Sequence, residues 1–248
     1  EIYTLSLHDA LPIFDCKVEY TNQVKFSGDA HLILADGAEM VIKTEGELEH
    51  GIYASNNLTI YGQNEQRGIL KVTATGTGGY GISAQNNISI SGGSVTAIGD
   101  YYGIIDIVGD ITLGWTNSSD FIYASSYYSQ VGSVQIAKGK SLKDESGNVY
   151  SGTLTKGQVS ALKGQKLEPF EGNSVSFVNN FGEIPVVFAE IAVDGEGHVA
   201  PPAKHPIRTG YTFVGWFTAS EGDSKFDFTK AVKENTTAYA HWNENTPV

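Results

Sequence analysis

The sequence predicts an all-β chain, a right-handed parallel β-solenoid followed by a second, smaller β module. Three observations predict it. A ten-residue phrase, Gly51-Ile52-Tyr53-Ala54-Ser55-Asn56-Asn57-Leu58-Thr59-Ile60, returns 30 residues later as Gly81-Ile82-Ser83-Ala84-Gln85-Asn86-Asn87-Ile88-Ser89-Ile90, and looser copies follow at Gly103-Ile104-Ile105 and Ile122-Tyr123-Ala124-Ser125. Self-similarity at a period of roughly 20–50 residues marks a stacked-repeat architecture. Within the phrase, apolar Leu58, Ile60, Ile88 and Ile90 alternate with polar Thr59 and Ser89, which is the period of a half-buried strand. Finally, the 29 glycines and 7 prolines suit a turn-rich β protein, and helix signals are nearly absent. A unit this short buries its apolar row only against a neighbouring copy.

Taken in order, residues 1–13 resemble, letter for letter, the translation of a widely used short-read sequencing adapter, and residues 1–14 are expected to stand outside the fold. Residues 15–170 read as the solenoid. Val18, Tyr20, Val24 and Phe26 alternate, and Leu32-Ile33-Leu34 and Met40-Val41-Ile42 are short strands split by the turn Asp36-Gly37. Asn56 and Asn57 stand one coil from Asn86 and Asn87, where stacked amides form ladders. Gly51, Gly81 and Gly103 are expected at bends that need a positive φ or the lack of a Cβ. Val131 to Ile136 reads as the last strand of this kind. Thr155-Lys156-Gly157-Gln158 has the spacing of a capping box, and Val159, Leu162 and Leu167 give the apolar stripe of a short helix that Gly164 stops. Such a helix would cover the open end of the stack, an otherwise unpaired edge.

Residues 171–174 read as a linker, and residues 175–243 differ in style, with strands at Val175-Phe177, Val186-Ala189 and Ile191-Val193 and a turn at Asp194-Gly195-Glu196-Gly197. Thr209-Gly210-Tyr211-Thr212-Phe213-Val214-Gly215-Trp216-Phe217 and Thr236-Thr237-Ala238-Tyr239-Ala240-His241-Trp242 complete the module, and residues 244–248 are a polar tail. These strings resemble the Listeria–Bacteroides repeat, also known as the internalin B-repeat. The resemblance implies a small β-grasp-like, non-catalytic module of bacterial surface or secreted proteins. At the front, Asn179-Asn180-Phe181-Gly182 replaces the Gly-Gly turn usual in that family, so this hairpin is expected to differ.

Composition narrows the function. The net charge of −12 disfavours nucleic acid as a partner, no apolar run is long enough to span a bilayer, and Cys16, the single cysteine, allows no intrachain disulfide. No cofactor or metal site is expected. Gly76-Thr77-Gly78-Gly79-Tyr80-Gly81 matches a dinucleotide fingerprint, but a strand-like segment follows it where that site requires a helix. Among β-solenoids a polysaccharide lyase or glycoside hydrolase is the competing class. Between Lys71 and Lys138 there is no Lys or Arg, so an acid and a base would both have to come from Asp100, Asp106, Asp110 and Asp120. Binding candidates are Tyr101, Tyr102, Trp115, Tyr123, Tyr127 and Tyr128, whose rings could stack on sugars or, alternatively, pack coil against coil. The sequence therefore favours a non-enzymatic, extracellular or cell-surface repeat protein with an adhesion, spacer or interaction role, with host or microbial glycans or surface proteins as partners.

Overall fold

The computed structural model describes residues 3–5 (backbone only), 17–63, 68–182 and 186–245. The chain forms two compact units, Glu1–Glu145 with Tyr150–Phe170, and Ser146–Val149 with Glu171–Val248.

The first unit is a parallel β-solenoid whose chain visits three sheets in a fixed order. Sheet one contains Val24–Phe26, His50–Ala54, Tyr80–Ala84, Tyr102–Asp106 and Tyr127–Ser129. Sheet two contains Ala30–Leu34, Leu58–Gly62, Ile88–Ile90, Ile111–Leu113 and Val134–Ile136, and sheet three Lys17–Tyr20, Glu39–Thr44, Ile69–Ala74, Ser94–Gly99 and Phe121–Ala124. Inward-facing side chains stack in rows: Val24, Ile52, Ile82, Ile104 and Tyr127 in sheet one; Leu32, Ile60, Ile90, Leu113 and Ile136 in sheet two; Met40, Leu70, Val95 and Ile122 in sheet three. All are buried in one core, so the period-two pattern of the repeat is its inside–outside pattern.

Gly51 and Gly103 lie inside strands without a positive φ, so of the two reasons anticipated for them only the missing Cβ applies. A Cβ on Gly51 would stand 2.1 Å from Val72 Cγ1, and one on Gly103 would stand 2.6 Å from the Ala97 carbonyl oxygen. The exclusion of residues 1–13 from the fold does not hold at Tyr3–Leu5, which pairs in parallel with Val24–Phe26; residues 1, 2 and 6–16, Cys16 among them, lie outside the described residues. The last strand begins at Val134, with Val131 exposed before it.

The end of the stack is closed by chain reversal. Lys166–Pro169 pairs antiparallel with Phe121–Ala124 at the edge of sheet three. At sheet two, Thr153 bridges Gln135 antiparallel, and the Leu154 N–H and Ile136 N–H donate to the Val134 and Gly152 carbonyls. Helix α1 (Lys156–Ala161) lies against the final strand of sheet one. It starts in the expected capping box, Thr155 with Gln158, and Leu162 and Leu167 enter the core while Val159 packs against it. The stop comes one residue earlier than expected: Leu162 is the C-cap, and Gly164, at φ +68°, stands two residues beyond it.

The second unit is a mixed four-stranded sheet in the order Val187–Ala192, Ser174–Val178, Thr236–Glu244, Tyr211–Phe217. The central pair is parallel and the outer pairs antiparallel. Val175, Phe177, Ile191, Trp216, Ala238 and Ala240 form its core. The two short strands expected around Glu190 are a single strand, because Glu190 faces the outer side and accepts a hydrogen bond from Ser174 Oγ at 2.6 Å. The strand expected to start at Val175 begins at Ser174, within the anticipated linker. Residues 193–210 cross from one edge of the sheet to the other with no helix, as Pro201, Pro202 and Pro206 dictate. In the Asn179–Gly182 turn, Asn180 and Gly182 both take positive φ; the Asn179 N–H donates to the Val186 carbonyl, and the Val186 N–H donates to the Asn179 side-chain Oδ1.

Candidate functional site

The aromatic residues divide by face. By register, Lys25, Tyr53, Ser83, Ile105 and Tyr128 form an outward row on sheet one, and His50, Tyr80 and Tyr102 stack at the start of its strands. The rings lean together into a continuous layer. His50 lies 5.3 Å from Tyr53 and 4.9 Å from Tyr80; Tyr80 stacks on Tyr102 at 6.2 Å, and Tyr102 stacks on Tyr128 at 4.8 Å and 11°. Tyr101 meets Tyr102 edge-on at 4.7 Å. The layer leaves Ser83 and Ile105 buried although both occupy outward positions. Its ring faces are therefore largely turned on one another, which raises the stability of the layer and removes stacking area from solvent. Open surface remains on Tyr101, 62% exposed, and Tyr128, 40% exposed.

The other aromatic candidates lie elsewhere. Trp115 is buried, donates from Nε1 to the Ser141 carbonyl at 3.0 Å, and carries Lys140 Nζ 3.6 Å above its ring. Tyr127 is an inward core residue whose hydroxyl has no hydrogen-bond partner among the described residues. Tyr123 is half-buried on sheet three, opposite Lys166. The sequence missed His50, Tyr53 and Tyr80 as members of the layer, though the spacing of His50 and Tyr80 at the repeat period was an available signal.

The four aspartates stand at three different corners of the coil. Asp100 joins sheet three to sheet one and accepts from the Gly78 N–H at 2.9 Å. Asp120 joins sheet two to sheet three and accepts from the N–H groups of Thr116 and Asn117 at 2.9 and 2.8 Å. Only Asp106 and Asp110 share a corner, between sheets one and two. Asp110 Oδ1 accepts from the N–H and Oγ of Ser133 at 2.7 and 2.8 Å. Asp106 is fully buried, with Ser129 Oγ 3.4 Å from Oδ1 and Oδ2 unpartnered among the described residues. Burial, with a smaller push from the Asp110 charge, raises its carboxyl pKa to about 6. Such a shift suits a general acid, but the group has no route to solvent-borne substrate at zero exposure.

Two hydrogen-bonded constellations tie successive coils together, and of these the sequence indicated only the Asn56/Asn57–Asn86/Asn87 ladder. Ser83 Oγ stands 2.7 Å from His50 Nδ1 and also donates to the Ile52 carbonyl at 3.1 Å. Burial holds the His50 pKa below its ordinary value. Ser83 is nearly inaccessible beneath the rings, so this pair fastens adjacent coils. At the corner between sheets one and two, the equivalent positions Asp29, Asn57, Asn87, Asp110 and Ser133 form a ladder. The N–H and Nδ2 of Asn57 donate to Asp29 Oδ1, those of Asn87 donate to Asn57 Oδ1, and the Asp110 N–H donates to Asn87 Oδ1. Asn86 Nδ2 donates to Asn56 Oδ1 in a second, shorter ladder. A depression of about 330 Å³ lies beside the long ladder, lined by polar Asp29, His31, Asn57, Thr59, Asn87 and Ser89.

The glycine-rich Gly76–Gly81 segment is a coil-to-coil turn leading into the Tyr80–Ala84 strand. At Asp194, Oδ1 accepts from the Glu196 and His198 N–H groups at 2.9 and 2.8 Å, which makes the acidic tetrapeptide a hydrogen-bonded turn within the crossing segment. No helix among the described residues is long and apolar enough to cross a membrane. Residues 174–241 match the Listeria-Bacteroides repeat domain, about a quarter of the chain. No curated protein and no solved structure matches the chain.

Proposed function

We infer that this chain, which carries a Listeria-Bacteroides repeat after a β-solenoid, is a non-enzymatic repeat protein of the bacterial surface or exterior, with an adhesion, spacer or interaction role. The match and the stacked-repeat fold together support the repeat-protein class, since quasi-one-dimensional stacks add length and lateral surface with each coil. The observation that carries the non-catalytic reading is the dispersal of the central aspartates over three corners, with Asp100 and Asp110 occupied by backbone N–H groups of neighbouring coils and Asp120 by those of its own turn. Glycan contact, where it occurs, belongs to the exposed rings of Tyr101 and Tyr128 and is weak, because Tyr102 is stacked on both sides.

The competing reading, a polysaccharide lyase or glycoside hydrolase, draws on the raised pKa of Asp106. The test is to incubate the whole chain with a panel of pectin-like and neutral polysaccharides plus calcium and measure released oligosaccharides, then to repeat with Asp106→Asn. The expected result is no release from any substrate. Release that Asp106→Asn abolishes overturns the non-enzymatic reading in favour of the enzyme.

A further inference from the structure

We propose that Tyr102 and Tyr128 form an oxidative cross-linking site, where hydrogen peroxide and a one-electron oxidation catalyst join the two rings as dityrosine and tie neighbouring coils together. Three observations carry this. The two rings are stacked 4.8 Å apart and only 11° from parallel, across strands that are adjacent and parallel in sheet one. Tyr128 is 40% exposed and Tyr101, edge-on to Tyr102, is 62% exposed, so an oxidant in solution reaches the cluster directly. Cys16 is the single cysteine, so no intrachain disulfide competes as a staple.

The geometry also selects the pair. Coupling joins the carbons ortho to the two phenolic oxygens, so it needs two ring edges side by side. Near-parallel rings at 4.8 Å offer this after a small slide, given that carbon contacts are made at about 3.5–4.0 Å. Tyr101 and Tyr102 are as close but 70° apart, which aims an edge of one ring at the face of the other. Tyr80 and Tyr102 are near-parallel but 6.2 Å apart. In the reaction each phenol loses one electron and one proton. The two radicals form a single C–C bond, and the two ring hydrogens at that bond move to the oxygens and restore both phenols. The two electrons and two protons removed reduce one hydrogen peroxide to two waters. The coupling requires only these reagents and does not rest on the location proposed above.

The experiment treats the full chain at low concentration with a haem peroxidase and hydrogen peroxide, then isolates the monomer. Cleavage before aspartate separates residues 100–105 from residues 120–143. The expected result is dityrosine fluorescence in the monomer and a linked pair of these two peptides, lighter by two hydrogens than their sum. Tyr128→Phe and Tyr102→Phe, which keep a ring in the stack, each abolish the link, whereas Tyr101→Phe retains it. The cross-linked monomer unfolds at a higher temperature than the untreated one. The proposal is overturned if no dityrosine forms in the monomer, if coupling joins separate molecules only, or if the link persists in Tyr102→Phe or Tyr128→Phe.

Discussion

Asp106 occupies a place where a carboxyl group is better accommodated than a carboxylate. It is fully buried, near Asp110, and the hydrogen bonds from Ser129 and the Gly109 backbone do not offset the cost of burying its charge. Its folded-state pKa of about 6 lies above the ordinary 3.8. The folded state therefore binds the proton more tightly than the unfolded chain, and this group's contribution to stability is greatest in acid. That contribution falls as the pH rises from 3.8 towards 6, by about 3 kcal/mol in all. Asp106→Asn, which cannot ionise, should flatten the stability profile over that interval and raise stability at neutral pH by up to about 3 kcal/mol; urea melts of both proteins at several pH values check this. An unchanged pH profile would contradict the burial argument. The sequence could not reveal this environment, because Asp in a Gly-flanked segment reads as a turn former. For the same reason Trp115 and Tyr127 looked like surface candidates: local order shows that aromatics cluster, but not which faces they occupy. Tyr80 and His50 meet each other across 30 residues of chain, and Tyr80 meets Tyr102 across a further 22.

The repeated strand is the element that was most readable, since its period-two pattern and its copy at 30 residues specify both burial and neighbour. Ile60 and Ile90 are fully buried and directly opposed. Ile90→Ala should therefore cost about 2–5 kcal/mol, measured by chemical denaturation. A loss below about 0.5 kcal/mol would be that of a surface site and would place the opposite face of the strand inside. The capping box was equally legible, because Thr155 and Gln158 satisfy each other within one turn. What was not legible was the antiparallel return of Lys166–Pro169 onto Phe121–Ala124. Alternation shows that a strand has two faces, but nothing in it specifies the direction of the strand beside it. The glycines show a similar limit: Gly51 is required by Val72 Cγ1 and the Gly81 carbonyl, and neither is near it in sequence.

For the molecule as a whole, the change of sequence style near residue 170 was visible, whereas the assignment of Ser146–Val149 to the second unit was not. At the other terminus the three-residue pairing of Tyr3–Leu5 adds a short strand to sheet one, while the described core begins downstream. Deleting residues 1–13 should lower the thermal midpoint by only a few degrees, equivalent to about 1–2 kcal/mol, and leave unfolding cooperative; calorimetry tests both. Loss of the cooperative transition would show that the segment holds the first coils together. The corner ladder has a consequence for how such a molecule changes length. Each asparagine in it points its amide hydrogens towards the earlier coil and its oxygen towards the later one, so the side-chain dipoles add head to tail. Asp29 sits at the positive end of this series, and the Asn57 amide and backbone N–H hold its pKa below the ordinary value. A coil with asparagine at this corner offers a donor on one side and an acceptor on the other, and so can follow a copy of itself. Aspartate has no such amide donor to offer back. Duplication of residues 51–80 therefore extends the stack without a mismatched joint at this corner, because the copied Asn57 would donate to Asn57 Oδ1 as Asn87 does.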